Sequence, residues 1–143
     1  MPRSPVHRNL GFTLLELLIV LLIIGLLTGI VGPRFMSQMN RSETTTAQAQ
    51  IDALGKAVQA YRIDMGRYPD NAVGLKALVQ PPSDPRWRGP YLNSVTNGEI
   101  PRDPWGSPYV YRSPGVQGRD FDILSYGRDR AMGGGGEDAD VRN

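Results

Sequence analysis

The sequence predicts an α+β chain, with one long N-terminal helix followed by a small antiparallel sheet packed on the helix's second half. Three observations carry that expectation. Leu10 to Pro33 reads as about twenty apolar residues in a row, long enough to cross a bilayer. From Thr44 onward, apolar residues recur at three- and four-residue steps, and two later stretches alternate as strands do. Of the 143 residues, about 110 lie outside the head and the apolar run, which suffices for one small globular unit and no more.

Composition narrows function before any motif is read. Net charge is +2, and the lysines and arginines are scattered singly, so the clustered basic stripe of a nucleic-acid binder is missing. There is no cysteine, which excludes a disulfide framework and thiolate metal sites and leaves the redox compartment undecided. Six of the 14 acids (Asp120, Asp122, Asp129, Glu137, Asp138 and Asp140) fall close together near residue 143, beside the run Gly133 to Gly136.

Residues 1–11 carry Arg3, His7 and Arg8 and no acid. Positive flanks stay cytoplasmic, so the remainder of the chain is expected on the far side of a membrane. Glu16 interrupts the apolar run that follows. A carboxylate at a membrane helix centre costs on the order of 2.5–3.5 kcal/mol, and such groups are functional candidates. Three readings compete. A cleaved secretory signal would want an A-x-A-like site, but Gly29 to Pro33 follows instead. A plain one-pass anchor would tolerate Glu16 near the interface. A cut between Gly11 and Phe12 would create an α-amine at Phe12, with Glu16 at i, i+4 spacing from it. A neighbouring copy offers the same amine in trans, and the carboxylate then sets the register of packing.

The hexapeptide "GFTLLE", with a short basic leader before it and an apolar run after it, resembles the type III signal of prepilins and pseudopilins. In that family a membrane-embedded aspartic peptidase cuts after the glycine and N-methylates the new phenylalanine. The resemblance makes 1–11 a cleaved leader, Gly11 and Phe12 the processing site, and Glu16 an assembly residue.

The remaining elements follow in order. Residues 12–33 form a transmembrane or filament-core helix, and 34–66 its amphipathic continuation. Gly25, Gly29, Gly32 and Pro33 predict a kink or local melting between the two. Ala47, Ile51, Leu54, Val58, Tyr61 and Met65 make one apolar stripe, so a single helix should run from Phe12 to about Met65, roughly 80 Å at 1.5 Å per residue. Gly66 stops it. In the region 67–143, "NAVGLKALVQPP" reads as a short helix capped by Asn71 and ended by Pro81-Pro82. "DPRWRGPYL" is an ordered loop held by Trp87 and Tyr91. Strands are expected near Tyr91 to Ile100, at Tyr109 to Arg112, and through Phe121, Ile123 and Ser125. A turn at Pro104 to Gly106 precedes the second of these, and Pro114 to Gly118 joins the last two as a hairpin.

The tail "SYGRDRAMGGGGEDADVRN" admits two readings. Acidic, glycine-rich ends are usually disordered. Alternatively, calcium takes six to eight oxygens, and glycines permit the turns that aim them inward. Asp129 precedes the glycine run, while Glu137, Asp138 and Asp140 follow it. They converge only if the run loops back.

"YRIDMGRYPDNAVGLKALV", "WRGPYL", "PRDPWGSPYVYRSPG" and the S-x-G-x-D … A-D-V-x-N ending resemble the major pseudopilins of bacterial type II secretion systems, the general secretion pathway protein G family. The likeness runs from Gly11 to Asn143 and implies a type IV pilin-like fold with a C-terminal calcium loop. It implies Ca2+ ligands at Asp129, Asp138 and Asp140 and at the Tyr126 main-chain carbonyl, with Glu137 able to exchange with Asp138. Arg130 departs from the family, which usually has glycine there, and its charge would oppose calcium unless the side chain points out. The resemblance also implies a non-enzymatic subunit in the bacterial inner membrane, crossing once, with its N-terminus cytoplasmic and its C-terminal domain periplasmic. Such a subunit polymerises with itself into a periplasmic pseudopilus that drives protein export. Its partners would be minor pseudopilins, the prepilin peptidase, a secretion ATPase and an inner-membrane platform, with no nucleic acid. Rival readings are a type IV pilin of a surface fibre, or a membrane-anchored calcium-dependent binding module using Trp87, Trp105 and the tyrosines. An enzyme fits least, because the single histidine, His7, lies in the leader and no nucleophile–base pair is visible.

Overall fold

A computed structural model describes residues 12–92 and 98–143, apart from the side chains of Pro33, Arg34, Met36, Ser37 and Glu137. The leader, Gly11 included, and the centre of the expected first strand (93–97) lie outside the described residues. The chain divides into two compact units, Met1–Gln38 and Met39–Asn143. One helix, α1 (Leu14–Met65, 52 residues), contributes to both.

In the first unit, the stretch Leu14–Gly32 has a mean hydropathy of 2.9 and no buried residue. Its large apolar side chains, with Phe12, are 45% to 78% exposed. A helix apolar on all sides is a surface for lipid or for other helices, not for water. The backbone stays helical through Gly32 and Pro33, so the expected local melting does not occur. Proline removes one backbone hydrogen bond, and the intact ladders on both sides keep the turn helical.

In the second unit, α1 presents the predicted stripe. Ala47, Ile51, Leu54, Val58, Tyr61 and Met65 are all buried and are joined by Leu75, Leu78, Tyr109, Phe121, Ile123 and Val141 in one core. Gly66 ends the helix with φ +72°, its N–H bonding the Arg62 carbonyl at 2.8 Å. That left-handed turn suits glycine.

The short helix after it is a 3-10 turn, Gly74–Leu78, without a side-chain cap. Asn71 does not cap it. Its side chain instead makes a two-way bond with the Ser113 backbone, 2.8 Å in each direction, fastening the turn to a segment 42 residues away. The 84–91 loop is ordered as expected: Trp87 Nε1 donates to the Ala77 carbonyl at 3.0 Å, and the Tyr91 hydroxyl donates to Asp64 at 2.9 Å.

Strands β1 (Val110–Arg112), β2 (Asp122–Ser125) and β3 (Val141–Arg142) form an antiparallel sheet in the order β1-β2-β3. Val110 pairs with Leu124, and Ser125 with Val141. The first two are the predicted hairpin, joined through 114–118. The third corrects the sequence reading. Among the described residues, no strand lies at Tyr91–Leu92 or Gly98–Ile100. The chain's last residues take the vacant edge of β2 instead, extended by Asn143, whose N–H bonds the Ile123 carbonyl at 3.1 Å while its Oδ1 accepts from Ile123 N at 2.8 Å.

Candidate functional site

Two places carry chemistry that the core does not need. The first is the start of α1. Thr13 precedes the first helical residue, its carbonyl accepting from Leu17 N at 3.2 Å and its hydroxyl accepting from Glu16 N at 3.2 Å. Thr13 is therefore the N-cap and Glu16 the third helical residue, in the T-x-x-E arrangement of a capping box. A carboxylate here also faces the positive end of the helix dipole. The sequence reading singled out Glu16 and passed over Thr13, although the T-x-x-E spacing was there to be read. Phe12 lies before the cap, outside the helix and 78% exposed. The helix thus begins at Leu14 and not at Phe12, so the i, i+4 geometry does not hold between Phe12 and Glu16 of one chain.

The second place is the loop between β2 and β3. It folds back on itself: Gly133 N–H donates to both carboxylate oxygens of Asp140, at 3.2 and 3.1 Å. Asp129 accepts from Ala131 N at 3.0 Å. A Cβ built on Gly134 would stand 2.3 Å from the Asp138 carbonyl oxygen and 3.4 Å from Asp129 Oδ2, and that glycine has φ +81°. A Cβ on Gly127 would stand 3.0 Å from the Ala139 carbonyl and 3.4 Å from that of Asp138. Carboxylate and carbonyl oxygens therefore crowd around two glycines that must stay bare. Among the described residues no three acidic, histidine or cysteine side chains gather as a metal cluster, and the Glu137 side chain lies outside the described set. Tyr126 is half-buried at the foot of the loop. The crowded donors are all oxygens, which suits a hard cation such as Ca2+ and not zinc.

Other contacts tie this loop to α1. Arg128 bonds Asn40 and lies 3.7 Å from Glu43, which also accepts the Trp105 indole N–H at 2.9 Å. Arg130 adopts φ +58°, a backbone shape that glycine favours, and donates to the Trp105 carbonyl at 3.0 Å. Its guanidinium is thus turned to the Trp105 loop. Both indoles spend their N–H groups inside the protein, and Trp87 packs on the core against Tyr91, ring centroids 5.7 Å apart. That argues against the aromatic binding-module reading.

Comparison with known proteins agrees across nearly the whole chain. Residues 34–143 match the family model "Type II secretion system (T2SS), protein G", and residues 6–32 match "Prokaryotic N-terminal methylation motif". The chain is 39% identical over 137 residues to the type II secretion system core protein G of Pseudomonas aeruginosa, covering 96% of each. It is 36% identical to that of Vibrio cholerae, covering 96% of this chain and 92% of the relative. Its fold resembles the crystal structure of the major pseudopilin from the type 2 secretion system of enterohaemorrhagic Escherichia coli. The TM-score is 0.59 at 32% identity, over 76% of this chain and 91% of that one.

Proposed function

The chain belongs to the protein G family of the type II secretion system, and from that premise we propose how its parts serve a major pseudopilin, a subunit that assembles with its own kind into the pseudopilus. The observation that carries the proposal is at the start of α1. An apolar helix with no buried residue from Leu14 to Gly32 holds one carboxylate, Glu16, just inside its first turn. Prepilin peptidase cuts between Gly11 and Phe12, and Phe12 stands just ahead of the N-cap, outside α1. It then methylates the Phe12 amine. The anchor waits in the inner membrane with the remaining chain in the periplasm. A secretion ATPase and an inner-membrane platform extract it into a filament begun by minor pseudopilins. There the apolar helices cover one another, and Glu16 faces the Phe12 amine of a neighbouring copy. Opposite charges in a low-dielectric setting attract strongly, and a missing partner strands a charge. The growing filament pushes exoproteins outward, and the role is structural, not catalytic.

The oxygen-crowded loop is the proposed Ca2+ site, with Asp129, Asp138, Asp140 and the Tyr126 carbonyl as ligands and Glu137 as the alternative to Asp138. Bound calcium supplies two positive charges that hold acidic oxygens together. Support comes from the closed loop, from its glycines and from Arg130, whose charge is engaged at Trp105. Intact mass of the membrane-extracted protein tests processing: Gly11→Ala should leave the full precursor, and a normal mature mass would refute the cut site. Glu16→Ala should insert normally but form few filaments, and an unchanged filament yield would remove the register role.

A further inference from the structure

Asp140 is the acid of the loop whose surroundings are most completely defined. Its side chain is only 7% exposed, and Arg142 Nη2 lies 3.6 Å from Oδ2. Among the described residues its other partner is the Gly133 N–H. A nearly buried carboxylate needs either a full set of hydrogen-bond donors or a compensating charge, and Asp140 has few of the former. Here that charge comes from two residues along the same chain, on β3, whose pairing with β2 fixes where Asp140 stands. Arg142 pairs with Leu124 across the sheet, so its guanidinium rises on the face that also bears Tyr126, Met132 and Asp140.

We infer that Arg142 is a built-in counter-cation for Asp140, keeping the loop closed without metal and competing with calcium for the same carboxylate. The inference rests on the calcium reading above and adds a residue outside its ligand set. Two cations cannot both sit close to one small carboxylate without repelling each other. Calcium entry therefore requires the guanidinium to swing out, which its half-exposed side chain permits. The cost of displacing Arg142 lowers calcium affinity, and its presence lessens the loop's dependence on the ion.

The test is calorimetric titration of Ca2+ into the full chain in detergent after EGTA stripping, paired with thermal melts with and without the ion. Arg142→Gln should bind calcium about three- to fivefold more tightly, the scale of one partly exposed ion pair. It should also melt at a lower temperature than the unsubstituted chain when metal is absent. Arg142→Lys, which keeps a cation at the site, should stay within about twofold of the unsubstituted affinity by the same reasoning. Arg130→Gln removes an equal charge next to Asp129, but one engaged at Trp105, and should change affinity less than Arg142→Gln does. Equal affinities for the unsubstituted chain and Arg142→Gln would overturn the inference while leaving the calcium site standing. An equal gain from Arg130→Gln would also overturn it, by reducing the effect to net charge. No heat and no melting shift in the unsubstituted chain would overturn the calcium reading itself.

Discussion

Asp103 is a carboxylate with only 4% of its surface exposed, and all its partners are neutral donors. Oδ1 accepts from Trp105 N at 3.2 Å and from Ser107 N at 2.6 Å, and Oδ2 accepts the Ser125 hydroxyl. Ser125 in turn accepts Gly127 N–H at 3.1 Å, so one side chain organises the Trp105 turn and the end of β2 together. Bonds to a charged acceptor are among the stronger ones, and each buried donor left without a partner adds its own desolvation cost. Asp103→Ala should therefore destabilise the folded unit by about 3 kcal/mol, read as a lower urea midpoint at unchanged slope. Because Arg130 holds the same Trp105 backbone, the substitution should also loosen the loop proposed to bind calcium. A midpoint within error of the unsubstituted chain would show that the backbone donors find water instead.

At the level of elements, α1 supports a direct contrast between two isoleucines 12 residues apart, about 3.3 turns, and so on different faces of the helix. Ile51 is fully buried in the core, whereas Ile63 is 81% exposed. Ile51→Ala should cost about 2–5 kcal/mol through lost burial and a residual cavity, and Ile63→Ala should stay within about 0.5 kcal/mol. Chemical denaturation of both variants checks the pair. This stripe was legible because a 3.6-residue period is local and repeats over five turns. The β1–β2 hairpin was legible too, since alternation and a glycine-rich connection lie side by side in sequence. The N-terminal methylation motif could be read for the same reason: its residues are contiguous. What stayed hidden depends on distant partners. β3 is two residues long in an acid-rich stretch, too short for any period, and only the open edge of β2 makes it a strand. Asn71 has the composition of a cap, but its bonding groups are met by Ser113. Within the loop, sequence named the acids but not Arg142, because a salt partner is defined by where β3 places it.

Across the whole folded unit, Met39–Asn143, tyrosine hydroxyls act as ties between elements that the core alone would leave to slide. Tyr109 donates to Gln50 of α1, Tyr91 to Asp64 of α1, and Tyr111 to the Pro69 carbonyl at 3.1 Å. Burial is the first cause that pushes the hydroxyls of Tyr109, Tyr91 and Tyr111 above the ordinary tyrosine value, and for Tyr109 and Tyr91 a neighbouring Asp103 or Asp64 pushes the same way. In the unfolded chain these hydroxyls ionise near pH 10. Below that value both states hold the proton and stability is independent of these groups. As pH rises above it, the unfolded chain releases protons that the folded unit still retains. Stability then falls by about 1.4 kcal/mol per pH unit for each such tyrosine, until the folded hydroxyl also ionises. Urea midpoints should therefore be level from pH 7 to 9 and drop steeply above 10. Tyr109→Phe removes one titrating group, so its curve should start lower but fall less steeply. Parallel alkaline slopes in the two proteins would mean that Tyr109 ionises as freely in the fold as outside it, and that its tie to Gln50 is not held dry.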